Sequence, residues 1–351
     1  MQVKRILVIG GSGYVGPEVI RRLKYSSPDV SVHGIDAGWF ADQCDGAGPL
    51  PELLYDSFSF TDVRDLTAED VEGYESVVYL AAISNDPMGD RFASLTRQVN
   101  HREAVRVASL ARAQGAKGFV LASSASVYGR GDGDRTEVSY LDPQTEYARS
   151  KVAAESDLQA LTTQNFRVTS LRFATACGWS PRVRLDLVLN DFVASAMTVG
   201  RIVVLSDGSP WRPLIHVKDM ALAVEWAVSQ ERQSFPPYLV VNVGRADWNF
   251  RMKDLADAVA SILGGVSVSV NSNAAPDTRS YRVDFSTWQQ VAPNHQPRVC
   301  IEEAIQELAA NLARVSGLSP EFRTSSRIRL RRLQQLMTAG FLDDELRWRK
   351  R

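Results

Sequence analysis

Apolar residues in this chain come as short unbroken runs, set apart by glycine-containing turns and by longer segments with helical spacing. Ile6–Ile9, Ser76–Leu80 and Phe119–Ala122 are continuous apolar or small-residue runs. Strands apolar on both faces belong in the interior of a parallel sheet. Ser31–Ile35, Ser57–Phe60 and Val168–Phe173 read as further strands. Between them, Val15, Val19, Ile20 and Leu23 share one helical face. Val99, Ala104, Val107, Ala108 and Ala111 predict a helix over Leu95–Gln114, stopped by Gly115. Thr145–Thr163 reads as another helix. Strand and helix alternate through Phe173, which is the pattern of an α/β fold with a doubly wound parallel sheet.

Beyond that point the alternation loosens. Ala37–Leu54, Gly129–Gly133, Thr175–Arg184 and Asp207–Pro213 read as loops. Leu185–Thr198, Met220–Ser229 and Met252–Leu263 read as helices, Ile202–Leu205 and Val240–Val243 as strands, and Val266–Val270 as an edge strand. The expected organisation is a dinucleotide-binding domain over residues 1–175, to which 214–245 return. A smaller interleaved α/β substrate domain takes 176–213 and 246–315, and a basic helical tail takes 316–351. In that tail (RIRLRRLQQL, then LRWRK) the leucines are spaced to pack on the body while the charges face solvent.

Composition narrows the function classes. A chain of 351 residues can build one large domain or two. Its net charge of −1 gives no electrostatic case for nucleic acid, and no apolar run is long enough to span a bilayer. Cys44, Cys177 and Cys300 lie far apart with no metal-ligand spacing, so no metal and a reducing compartment are expected. The first strand begins almost at once, with no signal-peptide pattern before it. The expected location is cytoplasmic.

The chemistry gathers at strand ends. Gly10, Gly13 and Gly16, spaced G-x-x-G-x-x-G, join the first strand to the first helix. Such a turn lets backbone approach a pyrophosphate, at which the helix aims its free N–H groups. Asp36 ends the second strand, where an acid accepts from the adenosine ribose and repels a 2′-phosphate, favouring NAD over NADP. Ala81 and Ala82 leave room for a cofactor after the Ser76–Leu80 strand. Tyr147 and Lys151 stand four apart on one helix face. An ammonium beside a phenol is expected to lower the tyrosine pKa and make it a base. Ser124, at a strand's carboxyl end, can bond the same substrate oxygen.

Taken together, GGSGYVG, Asp36, TDVRD, YLAA, SSASVYG, YARSK, LRFATACG, WRPLIHVKDMA and DTRSYRVDFS, in this order between Ile6 and Ser286, resemble an extended short-chain dehydrogenase/reductase. The resemblance is to the NAD-dependent epimerase/dehydratase family of nucleotide-sugar enzymes, which have a Rossmann sheet. It implies NAD as cofactor, with Gly10, Gly13, Tyr14, Val15 and Gly16 at the pyrophosphate and Asp36 at the ribose. Asp62 and Val63 would flank the adenine, and Leu80, Ala81 and Ala82 would line the cofactor. Asn100 would fix a helix beside the site, and Lys151 would also hold the nicotinamide ribose. For a nucleotide-diphosphate sugar it implies Ser84, Asn85, Ser124, Ser126, Thr175 and Asn190, with Arg212 and Arg279 clamping the diphosphate. It also implies a homodimer, built from the helices at His101–Gln114 and Tyr147–Thr163 as a four-helix bundle.

Departures from the family pattern refine this. Dehydratases of the family usually carry an acid between the catalytic hydroxyl residue and V-Y-G, where this chain has Ala125 and Ser126. The stretch resembles the 4-epimerases more closely. Thr175 and Cys177 replace a usual asparagine and tyrosine, which alters the sugar pocket. The expected activity is therefore a C4 epimerase, with a dehydratase or ketosugar reductase as alternatives. A non-catalytic NAD-binding protein has no need to keep Ser124, Tyr147 and Lys151 together.

Overall fold

The computed structural model describes residues 4–26, 29–46, 48–229, 231–271, 274 and 280–349. In chain order the first half contains β1 (Arg5–Ile9), α1 (Gly16–Ser26), β2 (Ser31–Asp36), β3 (Ser57–Phe60), β4 (Ser76–Tyr79), α2 (Asp86–Arg91), α3 (Ala93–Arg97), α4 (Ala104–Ala113), β5 (Gly118–Ser124), β6 (Arg130–Arg135), α5 (Glu146–Gln159), β7 (Arg167–Phe173) and β8 (Thr175–Cys177). The second half contains α6 (Val188–Val199), β9 (Arg201–Val204), β10 (Trp211–His216), α7 (Val217–Ala227), β11 (Tyr238–Val243), β12 (Asn249–Arg251), α8 (Met252–Leu263), β13 (Ser267–Val270), β14 (Ser280–Val283), α9 (Ser286–Val291), α10 (Ile301–Leu312) and α11 (Arg329–Thr338).

Seven strands pair in the order β11-β7-β5-β4-β1-β2-β3, all in parallel. The apolar run of β1 explains its central place, because alternate side chains feed opposite faces. Ile6 and Val8 join α1 and α7 residues such as Val19, Ile20 and Trp226. Leu7 and Ile9 join Val107, Ala108 and Leu158 on the other face. Strand order reverses between β1 and β4, and the crevice outside their carboxyl ends is where such sheets bind ligands. Beside the sheet, α6, α8 and α10 share a separate core around Leu189, Val193, Leu255 and Leu308. Smaller pairings, β12-β10-β8, β13-β9 and β14-β6, border it.

Several elements differ from the sequence expectation. Thr175–Cys177 and Trp211–Pro213, expected within loops, belong to β8 and β10, two strands that pair with each other. Gly129–Gly133 is not wholly loop, since Arg130–Arg135 forms β6 against β14. The pairing is tertiary and is supported by an Arg282–Asp134 ion pair of 2.8 Å, so no local apolar pattern announces it. Leu95–Gln114 is α3 and α4 joined by a π-helical turn over Gln98–Glu103. Finally, the basic segment folds back over the sheet edge. Leu333, Leu336, Leu342 and Leu346 are buried in the same core as Leu7 and Ile9. Trp39 Nε1 donates to the Leu346 carbonyl at 3.0 Å, and Gln43 Nε2 to that of Ser326 at 2.8 Å. Arg329 is 2% exposed rather than solvated. Among the described residues no helix is long and apolar enough to cross a membrane.

Candidate active site

A cavity of about 1250 Å³ opens at the carboxyl ends of β1 and β4, and residues from many elements line it. Its floor is the glycine turn. The Ile9 carbonyl accepts from both Leu80 N and Ala81 N, at 2.8 and 3.0 Å, tying the ends of β1 and β4 together. Gly10 has φ +93°, and a Cβ there would stand 2.5 Å from Ala81 N, so only glycine fits. Gly10, Gly13, Tyr14 and Val15 line the cavity. Gly16 does not: a Cβ on it would lie 2.0 Å from the Gly11 carbonyl oxygen. Its role is to let α1 close on the turn, which corrects the expectation that it faces the pyrophosphate.

Asp36 stands beside the turn. Its Oδ2 accepts from Ser12 N at 3.0 Å and its Oδ1 from Gly38 N at 2.7 Å. Burial pushes its carboxyl above the ordinary value, and these two N–H groups pull it part of the way back. Asp62 and Val63 line the cavity beyond it. Asp62 caps a short turn and pairs with Arg64 at 2.5 Å. Leu80, Ala81 and Ala82 line it as well.

The reacting end is organised by α5. Thr145 caps that helix, its Oγ1 accepting from Ala148 N at 3.2 Å. Glu155 on the same helix takes Ser123 Oγ at 2.5 Å and the fork of Arg172, at 3.0 and 2.7 Å. These buried bonds fix α5 to the ends of β5 and β7, and so fix where Tyr147 and Lys151 stand. The Ser124 side chain stands close enough to the Tyr147 phenol to favour its ionised form, and Ser124 Oγ accepts from Ser126 N at 3.1 Å. Lys151 Nζ lies 5.7 Å from the centre of the Tyr147 ring and donates to the Ala122 carbonyl at 2.7 Å.

The expected lowering of the Tyr147 pKa is not what this geometry produces. Burial pushes the phenol up, the nearby Ser124 side chain and the Arg184 charge pull it down, and the Asp86 charge raises it. The Lys151 ammonium is held on the Ala122 carbonyl. Burial brings the lysine itself down to about 8, with Glu155 pulling it back up.

The remaining positions divide clearly. Ser84, Asn85, Ser126, Thr175 and Arg212 all line the cavity. Ser126 Oγ is buried with no hydrogen-bond partner among the described residues. Asn100 is buried in the π-helical turn, bonding both polar backbone atoms of Ile83 and the Ser150 hydroxyl, so it ties the end of β4 to α5. Asn190 is fully buried and absent from the cavity wall. Its Oδ1 accepts from Gly178 N at 2.9 Å and its Nδ2 donates to the Arg184 carbonyl at 2.9 Å. It shapes the 178–184 loop and has no amide group turned to a ligand, contrary to the expectation. Arg279 lies outside the described residues. Cys177 is fully buried against the Ile215 carbonyl, and burial pushes its thiol well up.

Sequence reasoning missed Arg184. It forks onto Asp186, at 3.0 and 2.9 Å, and donates to Ser84 Oγ at 2.9 Å. Asn85 Nδ2 donates to the same Asp186 at 2.6 Å. The only sequence signal was R-V-R-L-D, at the join between a stretch read as loop and one read as helix. Trp39 and Phe40, and residues 328–331 ahead of and within α11, also line the cavity unforeseen.

Residues 6–244 match the model of the NAD dependent epimerase/dehydratase family. The chain belongs to that family. It is accordingly an NAD-dependent enzyme of the nucleotide-sugar epimerase/dehydratase group. It is 27% identical to the uncharacterized UDP-glucose epimerase YtcB of Bacillus subtilis over 263 residues, 69% of this chain and 77% of that one. It is 26% identical to a probable dTDP-glucose 4,6-dehydratase of Sinorhizobium fredii over 331 residues, 85% of each chain. In fold it is similar to MoeE5 in complex with UDP-glucuronic acid and NAD. That match has a TM-score of 0.74 at 23% identity, covering 88% of this chain and 99% of that one. The residues present fit the cofactor: Gly10, Gly13, Tyr14 and Val15 of the turn and Asp36 beside it all line a cavity that exceeds the ~300–1,000 Å³ of ordinary ligand pockets.

Proposed function

We propose that this enzyme is a nucleotide-sugar epimerase acting at C4. The observation that carries the reading is the strand end between Ser124 and Tyr128. It presents Ala125, 1% exposed, and Ser126, and so offers no carboxyl to protonate a leaving hydroxyl. The nucleotide-sugar class is supported by the relatives' names and by the polar and cationic groups of Ser84, Asn85, Thr175 and Arg212 lining the cavity.

In this reading Tyr147 Oη takes the proton of the C4 hydroxyl. The Ser124 hydroxyl holds the same oxygen while its bond order changes. Lys151 supplies positive charge beside the phenolate and would hold the nicotinamide ribose. NAD, when bound, would supply the hydride-transfer chemistry. Tyr147 then gives its proton back after the 4-keto sugar has turned its other face. Arg212 anchors the diphosphate while the sugar turns, so Gly10, Gly13, Asp36, Asp62 and Ala81 would serve the cofactor and Arg212 the substrate.

Dehydration is the second reading, favoured by one observation: Asp86 lines the cavity and its charge reaches Tyr147. Isotope tracing on a panel of nucleotide sugars separates the two. An epimerase keeps deuterium placed at C4 and takes none from heavy water. A dehydratase takes solvent deuterium at C5, and a reductase consumes cofactor in proportion to product. Solvent label on a ring carbon overturns the epimerase reading.

A further inference from the structure

The mechanism leaves one buried charge unused. Arg329 opens α11, is 2% exposed and lines the cavity described above. It belongs to the buried stripe of the helix together with Leu333 and Leu336, a position where a helix ordinarily places an apolar residue. Among the described residues its hydrogen bonds go to neutral acceptors: Nη1 to Gln43 Oε1 and Nη2 to the Arg182 carbonyl, both at 2.7 Å. Its guanidinium also stacks 4.2 Å over the Phe40 ring. By contrast, Arg182 pairs with Glu52 at 2.7 Å and Arg184 with Asp186 at 2.9 Å. Burying a guanidinium without a carboxylate against it is costly unless an anion completes its surroundings.

Two further observations point to an anion. Ile328, Arg329, Leu330 and Arg331 all line the cavity, so the N-terminal turn of α11 faces it. No side chain caps that turn and no acid lies in it, although an acid is what a helix N-terminus favours. Behind it, off the cavity wall, Arg182 is fully buried; its Nη2 donates to both Glu52 carboxylate oxygens, while its Nε and Nη1 lack partners among the described residues. Burial, and then the Arg184 charge, bring Arg329 down to about 9, which leaves it charged at neutral pH. Its surroundings place it between the two ends of the site: the Arg184 and Asp186 charges reach it from beside Ser84 and Asn85, and the Asp36 charge from the ribose side.

We propose that Arg329 and the first turn of α11 bind the diphosphate of the dinucleotide from the side opposite the Gly10–Gly13 turn. The C-terminal segment then supplies a binding residue, and the cofactor is held between two distant parts of the chain. This rests on the enzyme's NAD dependence and is independent of which sugar reaction follows.

The test compares Arg329→Gln and Arg329→Lys with the unaltered full-length chain, using calorimetric titrations of NAD, of adenosine and of UDP-glucose or dTDP-glucose, at low and high salt. Arg329→Gln should weaken NAD on the order of tenfold to a hundredfold, leave adenosine unchanged and flatten the salt dependence of NAD binding. Arg329→Lys keeps the charge without the fork and should fall between. Equal losses for NAD and adenosine would mean that Arg329 only braces the fold, and a loss confined to the nucleotide sugar would assign it to the substrate; either result overturns the proposal, as does unchanged NAD affinity in both variants. Failure of the unaltered chain to bind NAD would instead strike the cofactor reading itself.

Discussion

Removing the Tyr147 hydroxyl while keeping its ring isolates the proton step. Tyr147→Phe should lower kcat by ~10²–10⁴-fold, the usual contribution of a positioned base, with bound NAD retained. Ser124→Ala should cost less, because that hydroxyl orients an oxygen and does not keep the proton. Rates and cofactor content measured together check both, and a Tyr147→Phe enzyme of unchanged kcat would remove Tyr147 from the chemistry. Lys151 adds a pH signature. Its pKa is about 8 in the fold against an ordinary value of 10.5. Between those values the unfolded chain holds more protons than the native one, so the lysine's contribution to stability rises with pH across that window. Turnover should nevertheless fall above pH 8 as the ammonium is lost. A kcat profile recorded alongside circular dichroism should therefore show activity declining while the fold persists. At Asp36, the Ser12 and Gly38 bonds still leave lone pairs on each oxygen for ribose hydroxyls. Asp36→Ala should narrow the preference for NAD over NADP, and equal affinity of the unaltered enzyme for both would defeat that argument.

At the scale of elements, the join between β1 and α1 is the least forgiving. A methyl on Gly16 meets backbone rather than a flexible side chain, so Gly16→Ala should force the turn apart, lowering both Tm and NAD affinity. Wild-type values for both would show that the turn can relax. The central strands were readable because β1, β4 and β5 are apolar on both faces, and the helices because their apolar positions recur on one side. β6 was not readable, since RGDGDR has neither pattern and takes its shape from a partner some 150 residues away in sequence. The same division holds in the site. Gly10, Asp36, Ser124, Tyr147 and Lys151 were legible because their chemistry depends on local spacing. Arg184 and the inward turn of Asn190 were not, because a loop's long-range packing decides them. The pKa of Tyr147 was misjudged for a related reason: spacing puts a lysine near a phenol, but the Ala122 carbonyl holds the ammonium and burial dominates the phenol. The C-terminal segment misled through its charge. Its leucines pack as their spacing required, yet Arg329 shares their stripe. Leu333, 1% exposed, tests that packing: Leu333→Ala should cost about 2–5 kcal/mol, read as a lower denaturation midpoint.

At the scale of the whole molecule, the expected assembly is a homodimer, and the argument comes from what one copy leaves half covered. On α4, Val105, Ser109 and Leu110 are partly exposed, as are Val152 and Ala153 on α5. The two helices lie side by side, and a 3.1 Å bond from Arg112 to the Leu161 carbonyl joins their ends. Small and apolar side chains on adjacent helices allow a second pair to approach closely, and a twofold axis would bring the same face of another copy against them. Pairing in this way makes a four-helix bundle. Because α5 carries Tyr147 and Lys151, the bundle would also stiffen the helix that positions the base. Val105→Glu with Ala153→Glu should therefore yield a monomer by sedimentation, with kcat reduced and NAD still bound. A monomeric unaltered enzyme at micromolar concentration would refute the assembly. Variants that remain dimeric would move the interface to another face. A monomeric variant with full activity would leave the dimer in place but show that α5 needs no partner to hold Tyr147 against Ser124.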